Sequence, residues 1–468
     1  MSRAVFLILA LAAVALRAAT PPEAILVVLG DLHSAYERSA QLVARVDRLR
    51  GDNPGVPLAV LLNGDTMEYG NAVARRSAGA IDFALFTALA RRGPLVINFG
   101  NHEPEFHDVA ETVRRLEATG AQVISGNLRD PATGQPYARA SLALPLGAHT
   151  LTLVGVTTDR LSTWRVAIRP QLDLADPAVW AREHFPRIFS GAGDAAPSPR
   201  LSEPRGEGAA SPTMLPVVLS HSGLRADRAM LPLVPDGTLF AGAHDHLRFV
   251  QREGRTIYFH SGSWMEFISI ARLTRTTAGL GWAVEQVPLA AADPADPGMD
   301  KLVRATLAQH LTPEETAVVG RTLRALAPSE AARFAVEAAR VAADADVALV
   351  GATTFGAGLP AGDVTRHAFD ACVRFDGPLH AAEVSGAWLQ KILSRANQGP
   401  ETPFADRGGE NLIAAIRGPI APGRTYRLVT ADWIAKNAKN YLGDDPPALT
   451  ERKPELKLKA AVIAALNR

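Results

Sequence analysis

The chain has 468 residues, 49 basic and 48 acidic side chains, a formal charge of +1 and a single cysteine, Cys372. That length exceeds one hydrophobic core and fits two domains. The near-zero charge argues against a nucleic-acid polymer or an acidic membrane surface as partner, and one cysteine excludes an intrachain disulfide framework.

The first apolar run differs from the rest. Arg3 precedes a stretch from Ala4 to Leu16 that is too short to span a bilayer and is followed by Ala18 and Ala19. Residues 1–19 therefore read as a secretory signal peptide, with an uncleaved amino-terminal anchor as the alternative and Arg17 leaving the cleavage point open. Losing Arg3 and Arg17 takes the formal charge from +1 to −1 and leaves no run long enough to span a membrane. A periplasmic or secreted location is expected, compatible with a large chain that carries no disulfide.

Five short apolar runs come next: Ile25–Leu29, Leu58–Leu62, Leu95–Phe99, Val217–Leu219 and Leu239–Ala241. Their length and polar or Gly boundaries predict buried strands. Each ends in a polar segment, in order Gly30-Asp31-Leu32-His33, Asn63-Gly64-Asp65, Gly100-Asn101-His102-Glu103, Ser220-His221-Ser222 and Ala243-His244-Asp245-His246. Strands ending this way bring Asp, Asn and His to one sheet edge, where α/β proteins place ligands. Helical patterns lie between them, with Leu42, Val46 and Leu49 closed by Gly51, and Val109, Val113 and Leu116 closed by Gly120. The mixed oxygen and nitrogen donors suit Mn, Fe or Zn better than calcium or a thiolate-loving ion, and suffice for two divalent metal ions.

Further along, Ser190 to Ser211 has no apolar period and reads as a long loop, either overhanging the site or merely solvated. The first domain is placed at 22–290. Residues 291–300 read as a linker. A second domain at 301–468 follows, opening with the capping box Thr312-Pro313-Glu314-Glu315, a helix from Ser329 to Ala343 and a strand at Val347–Val350.

The five segments, D-x-H, G-D, G-N-H-E, H and G-x-H-x-H in that order, resemble the binuclear metallophosphoesterases. Behind them "ADVALVG", "LPAGDVT", "AAEVSGAWLQKIL" and "YRLVTADWIA" resemble the carboxy-terminal domain of the 5′-nucleotidase family. The resemblance implies an α/β fold, a four-layer α/β/β/α sandwich followed by a smaller α/β domain. It also implies that Asp31, His33 and His246 bind one metal, that Asn101, His221 and His244 bind the other, and that Asp65 bridges them. A carboxylate has two oxygens with which to span two cations, as an imidazole has not. Two cations lower the pKa of a water from 15.7 towards about 7, so that hydroxide is available at neutral pH to attack phosphorus. His102 is implied to face the substrate, holding phosphoryl oxygens or protonating the leaving group, and Glu105 stands where the family places an Asp that orients this His. Asn101 is also a candidate for substrate contact.

The second domain departs from the family. Gly351-Ala352-Thr353-Thr354-Phe355-Gly356 replaces N-G-G-x-R, so the Arg is absent, and Asn437-Ala438-Lys439-Asn440-Tyr441 replaces the aromatic G-G-D-G-[FY] loop. Phe355 and Tyr441 are the remaining candidates for substrate binding, each equally readable as a packing residue. His260, in "YFHSGSW", is a candidate for a contact behind the metal ligands, and Trp264 and Glu266 either line the entrance or pack between domains. The expected activity is hydrolysis of phosphate mono- or diesters, on a small phosphorylated substrate or a nucleotide. The alternatives are a sulfate thiohydrolase of the same fold and a non-catalytic binding protein.

Overall fold

In the Ala24–Leu29 strand, Leu26 and Val28 point to one face of a sheet and Ile25, Val27 and Leu29 to the other, and all are buried. A strand buried on both sides must sit between two apolar layers, and the continuous run of aliphatics shows why no alternation marks it. The computed structural model describes residues 21–191, 213–277, 279–409, 411–451 and 456–468. The expected signal peptide and nearly all of the Ser190–Ser211 stretch lie outside these.

Two six-stranded sheets face each other. In the first, Ala24–Leu29, Leu58–Asn63, Leu95–Asn98 and Gln122–Ile124 run parallel in that order, and Phe267–Thr276 with Gly279–Pro288 adds an antiparallel edge. In the second, His149–Thr157, Thr213–His221, Leu239–Gly242 and Thr256–Ser261 run parallel, flanked by Ser141–Leu146 and Arg248–Glu253. The five motif strands thus belong to two sheets and not to one edge. Leu26, Val28, Leu61 and Val96 meet Leu153, Val217, Leu219 and Phe259 in the layer between them. Helices Tyr36–Asp52 and Ala80–Ala90 cover the outside of the first sheet, and Pro177–Phe189 covers the second, completing the α/β/β/α sandwich.

Two buried amides join the sheets. Asn63 donates through Nδ2 to the carbonyls of Ser220 (3.1 Å) and Ala241 (2.9 Å), and Asn98 donates to Asn63 Oδ1 and to the carbonyl of Val156, both at 2.9 Å. Each unpaired amide in such a layer would cost roughly 1–3 kcal/mol, so this chain of bonds fixes the two sheets' register at the motif end.

The first helix runs through Gly51 to Asp52 and caps at Asn53, whose Nδ2 donates to Leu49 O, so Gly51 does not close it. By contrast, Val109–Ala118 ends just before Gly120, whose φ of 95° explains the glycine. Within 291–300 the expected linker is held to the first domain and is helical from Pro297 onward. Asp296 caps that helix, Arg45 pairs with Asp293, and Gln41 donates to the Ala291 carbonyl.

The second domain's main sheet has the order Leu412–Ile416, Val347–Gly351, Thr425–Ala431, Leu379–Ser385 and Thr450–Glu451. Helices Pro328–Ala342 and Leu458–Leu466 pack on one face, and Gly386–Leu393 on the other. The Thr312 capping box forms, but its helix is only four residues long. Residues 438–442, expected as a loop, form a short helix. Phe404 inserts against Phe249 and Tyr258 of the first domain, and Arg228 donates to its carbonyl.

Candidate metal centre

Each motif sits where a strand stops and the backbone turns sharply. Asp31, His33, Asp65, His244 and His246 all have positive φ, between 49° and 81°. Non-glycine residues held in the left-handed region cost of order 1–3 kcal/mol each and persist only where the surroundings force them. Here the forcing groups are visible. Asp31 N–H donates to Gly64 O and His33 N–H to Asp65 O, both at 3.0 Å, so the first two motif loops clamp each other. Glu103, fully buried, accepts from the backbone N–H groups of Gly100, Asp65 and Thr66 at 2.6–3.0 Å and from the Thr66 hydroxyl. His244 N–H donates to both Asp31 carboxylate oxygens at 3.1 Å, and His102 N–H to Asp65 Oδ1 at 2.8 Å.

The ligand candidates converge in two groups, and a third potential cation-holding group among the described residues joins His33 to Glu68 and His102. Asp31, His33 and His246 form one: the two imidazole Nε2 atoms lie 2.9 Å apart, and Asp31 Oδ1 lies 3.9 and 3.7 Å from them. Asp65, His221 and His244 form the other, with His221 Nε2 3.1 Å from Asp65 Oδ2 and 4.0 Å from Asp31 Oδ1. His221 Nδ1 lies 2.8 Å from the Asn63 carbonyl, which fixes a proton there and turns Nε2 towards the Asp65 carboxylate. Asn101 donates through Nδ2 to Thr163 O at 3.2 Å, while its buried Oδ1 has no hydrogen-bond partner, nor has His244 Nδ1.

These residues fit two divalent cations. Carboxylate oxygens and imidazole nitrogens lie within 4.8 Å of one another in each group, the Asn101 amide oxygen is buried without a partner, and polar atoms so buried need one. Burial depresses the His33 pKa to about 4 and that of His244 to about 3, and takes His246 well below its usual range, so all three rings stay neutral as ligands must be. Burial opposes charge on His221 too, but the Asp65 and Asp31 carboxylates lift it to about 10. Asp65, despite burial, is held well below the ordinary carboxylate range by His221 and His102. Asp31 is pushed up to about 8 by burial.

His102 stands at the rim with its side chain 21 % exposed, against 7 % for His246 and 1 % for His33. Its Nδ1 lies 2.6 Å from Glu105 Oε1, and its Nε2 lies 4.0 Å from Asp65 Oδ2. Burial works against a charged ring here, but Asp65 and Glu105 raise its pKa to about 10. Such a ring can donate a hydrogen bond or a proton at neutral pH.

Two neighbours, Glu68 and Arg374, had no sequence signal as site residues. Glu68, three residues beyond Asp65, lies 3.3 Å from His33 Nδ1 and 3.9 Å from His102 Nδ1. Arg374, in the second domain, pairs with Glu68. Glu103 was legible only as a letter of its motif. Trp264, one of two readings left open, is buried and stacks on His33 at 5.3 Å. His260 lies away from the donor atoms, in a buried network with Tyr258 and Asp227.

Between the domains a cavity of about 350 Å³ adjoins His246 and is lined by Arg248, Glu266, Phe267, Phe355 and Asn411, among others. Phe355 therefore faces it. Tyr441 is not among the lining residues and instead packs on Gly351, with Trp433 Nε1 3.3 Å from its hydroxyl.

Residues 25–248 match the calcineurin-like phosphoesterase family, and residues 310–444 match the 5′-nucleotidase C-terminal domain. No curated protein matches the chain in sequence. Among solved structures, the fold is similar to that of a 5′-nucleotidase precursor from Thermus thermophilus (16% identity, 95% of this chain and 96% of that one, TM-score 0.57). It is also similar to a sulfate thiohydrolase from the same species in complex with glycerol (14%, 95% and 95%, TM-score 0.60) and to a 5′-nucleotidase from Candida albicans (10%, 96% and 99%, TM-score 0.56).

Proposed function

We propose that this chain, a calcineurin-like phosphoesterase domain joined to a 5′-nucleotidase C-terminal domain, is an exported hydrolase of phosphate mono- or diesters that works with two divalent cations. The observation that carries the reading is the convergence of the Asp31–His33–His246 and Asp65–His221–His244 donor clusters, with His102 beside them and 21 % exposed. Asp31, His33 and His246 are assigned to one cation, Asn101, His221 and His244 to the other, and Asp65 to both. Bound there, divalent cations supply Lewis acidity to phosphoryl oxygens and a nucleophile at neutral pH.

The chain's own residues do the rest. His102, charged and oriented by Glu105, donates to a phosphoryl oxygen or gives its proton to the leaving oxygen. The cavity beside His246 receives the leaving group, with Phe355 on its wall. Asn101, through the amide that holds Thr163, keeps the rim loop in place. Export rests on Arg3 and the apolar stretch Ala4–Leu16, and no helix among the described residues is long and apolar enough to cross a membrane. Amino-terminal sequencing of protein from the periplasm or medium tests that part.

The activity is tested with protein stripped by chelator and reloaded with Mn²⁺ or Zn²⁺, assayed on p-nitrophenyl phosphate, bis-p-nitrophenyl phosphate and AMP. Metal-dependent release of nitrophenolate from at least one ester is expected. Two bound metals with no turnover of any phosphoester would reject the reading. Hydrolysis of a sulfur-linked sulfonate under those conditions would favour the sulfate thiohydrolase, whose fold the chain shares over 95% of its length.

A further inference from the structure

The supports of His33, a metal-ligand candidate, reach across the domain boundary. Its Nδ1 faces Glu68 at 3.3 Å, and its ring stacks on Trp264 at 5.3 Å and 23°. Both supports are themselves held from the second domain. Arg374 forms an ion pair with Glu68, both side chains less than a tenth exposed, and its guanidinium lies 5.3 Å from the Trp264 ring. Arg374 is anchored in turn, since its Nη1 donates to Thr353 O at 3.2 Å and its N–H to Thr354 O at 3.0 Å. Gly356 closes the other side of the indole. A Cβ there would lie 2.5 Å from Trp264 Cζ2, so only glycine lets the second domain approach this closely.

We propose that Arg374 is a positioning residue: through Glu68 and Trp264 it fixes the ring of His33, so that the Asp31–His33–His246 cluster is a competent cation site only while the second domain is docked. The physical ground is twofold. A carboxylate on the second nitrogen of a ligating histidine sets tautomer and ring angle, and removing such a partner typically costs 10–100-fold in metal affinity. A buried carboxylate that loses its guanidinium partner is left uncompensated and rearranges towards water or another cation. Arg374 thus makes the position of the second domain a condition for filling one of the two cation sites. The inference rests on the two-cation reading of the centre.

The test is metal binding, independent of turnover. Chelator-stripped protein is titrated with Zn²⁺ by calorimetry, with elemental analysis after dialysis against buffered Zn²⁺. The wild type is expected to take two equivalents. Arg374→Ala should weaken one of them by about tenfold or more and leave the other unchanged. Arg374→Lys, which keeps the charge but not the planar stack, should recover part of the loss. Arg228→Ala, which loosens the contact at Phe404, serves as a control for general loss of packing and should alter Zn²⁺ binding less than Arg374→Ala does. Glu68→Gln combined with Arg374→Ala should bind Zn²⁺ no worse than Glu68→Gln alone. Two wild-type-like equivalents in folded Arg374→Ala, or equal losses at both sites, would overturn the positioning role. A wild type that takes fewer than two equivalents would overturn the two-cation reading, and this inference with it.

Discussion

The two sides of the candidate site are built by opposite rules. On the first domain's side, seven polar ligand candidates lie at the ends of strands, where backbone bonds tie Asp31 to Gly64 and His33 to Asp65, and the His102 and His244 N–H groups donate to the Asp65 and Asp31 carboxylates. On the second domain's side the cavity is walled by side chains from separate loops, and Arg374 meets Glu68 across 306 positions of sequence. Chemistry carried by a local motif keeps its spacing whatever lies elsewhere. Recognition assembled from distant loops does not, and here the charged group reaching the centre is not the arginine of the family's motif.

The largest effect expected falls on the first side. Asp65→Asn replaces a two-oxygen anion by a neutral amide with one acceptor, so elemental analysis should show at least one cation lost and activity should vanish. Two retained cations and a near-normal rate would break the assignment of Asp65 to both sites.

Next comes His102, which belongs to the rim and not to the ligand clusters. His102→Ala should leave metal content near two per chain and lower kcat/KM by about 10²-fold or more. The loss should shrink for nitrophenolate, a leaving group that needs no proton, compared with an alkyl phosphate. Equal losses would leave only the electrostatic role.

A smaller effect tests the second side. Phe355 and Phe267 both line the cavity, but Arg248 lies 3.8 Å over the Phe267 ring, and Tyr441 packs on Gly351 outside the cavity. One stacking ring contributes on the order of 1–3 kcal/mol per base. We expect kcat/KM for AMP to exceed that for a small aryl phosphate by no more than about tenfold, and Tyr441→Ala to change AMP hydrolysis little. A strong AMP preference abolished by that substitution would move Tyr441 into the cavity.

How much of this was legible follows the same division. The strands, the ligand candidates and the His102–Glu105 contact could be read because each lies within a few residues of an apolar run. The positive φ of Asp31, His33, Asp65, His244 and His246 could not, since nothing but the finished packing forces non-glycine residues there. The two sheets of the sandwich were legible from the family resemblance alone, since in the apolar pattern Leu26 and Val28 are as apolar as Ile25 and Val27, both faces being buried. Gly51 was a misleading stop, because a glycine in a last turn costs only about 1 kcal/mol and Asn53 supplies the cap. Glu68 and Arg374 carried no signal at all, their meeting being a property of domain docking.

The smallest effect separates buried charge that awaits a cation from buried charge that does not. Asp82, under the first helix, accepts from the Tyr36 hydroxyl at 2.6 Å and has its pKa pushed by burial to about 7, with no candidate cation cluster around it among the described residues. Its folded pKa is above the unfolded value near 4, so the folded state binds the extra proton. Its contribution to stability is full below about pH 4 and is lost as pH rises towards about 7. Asp82→Asn keeps an acceptor for Tyr36 and removes the titration. Denaturation midpoints at pH 5 and pH 8 should therefore differ less in this variant than in the wild type. An unchanged difference would show that Asp82 is ionised at no cost.

The most direct test of the two-cation centre is anomalous diffraction from crystals of the wild type soaked in Mn²⁺ or Zn²⁺. Two peaks are predicted, one among Asp31, His33 and His246 and one among Asn101, His221 and His244, with Asp65 touching both. A single peak, or two peaks away from these side chains, would contradict it.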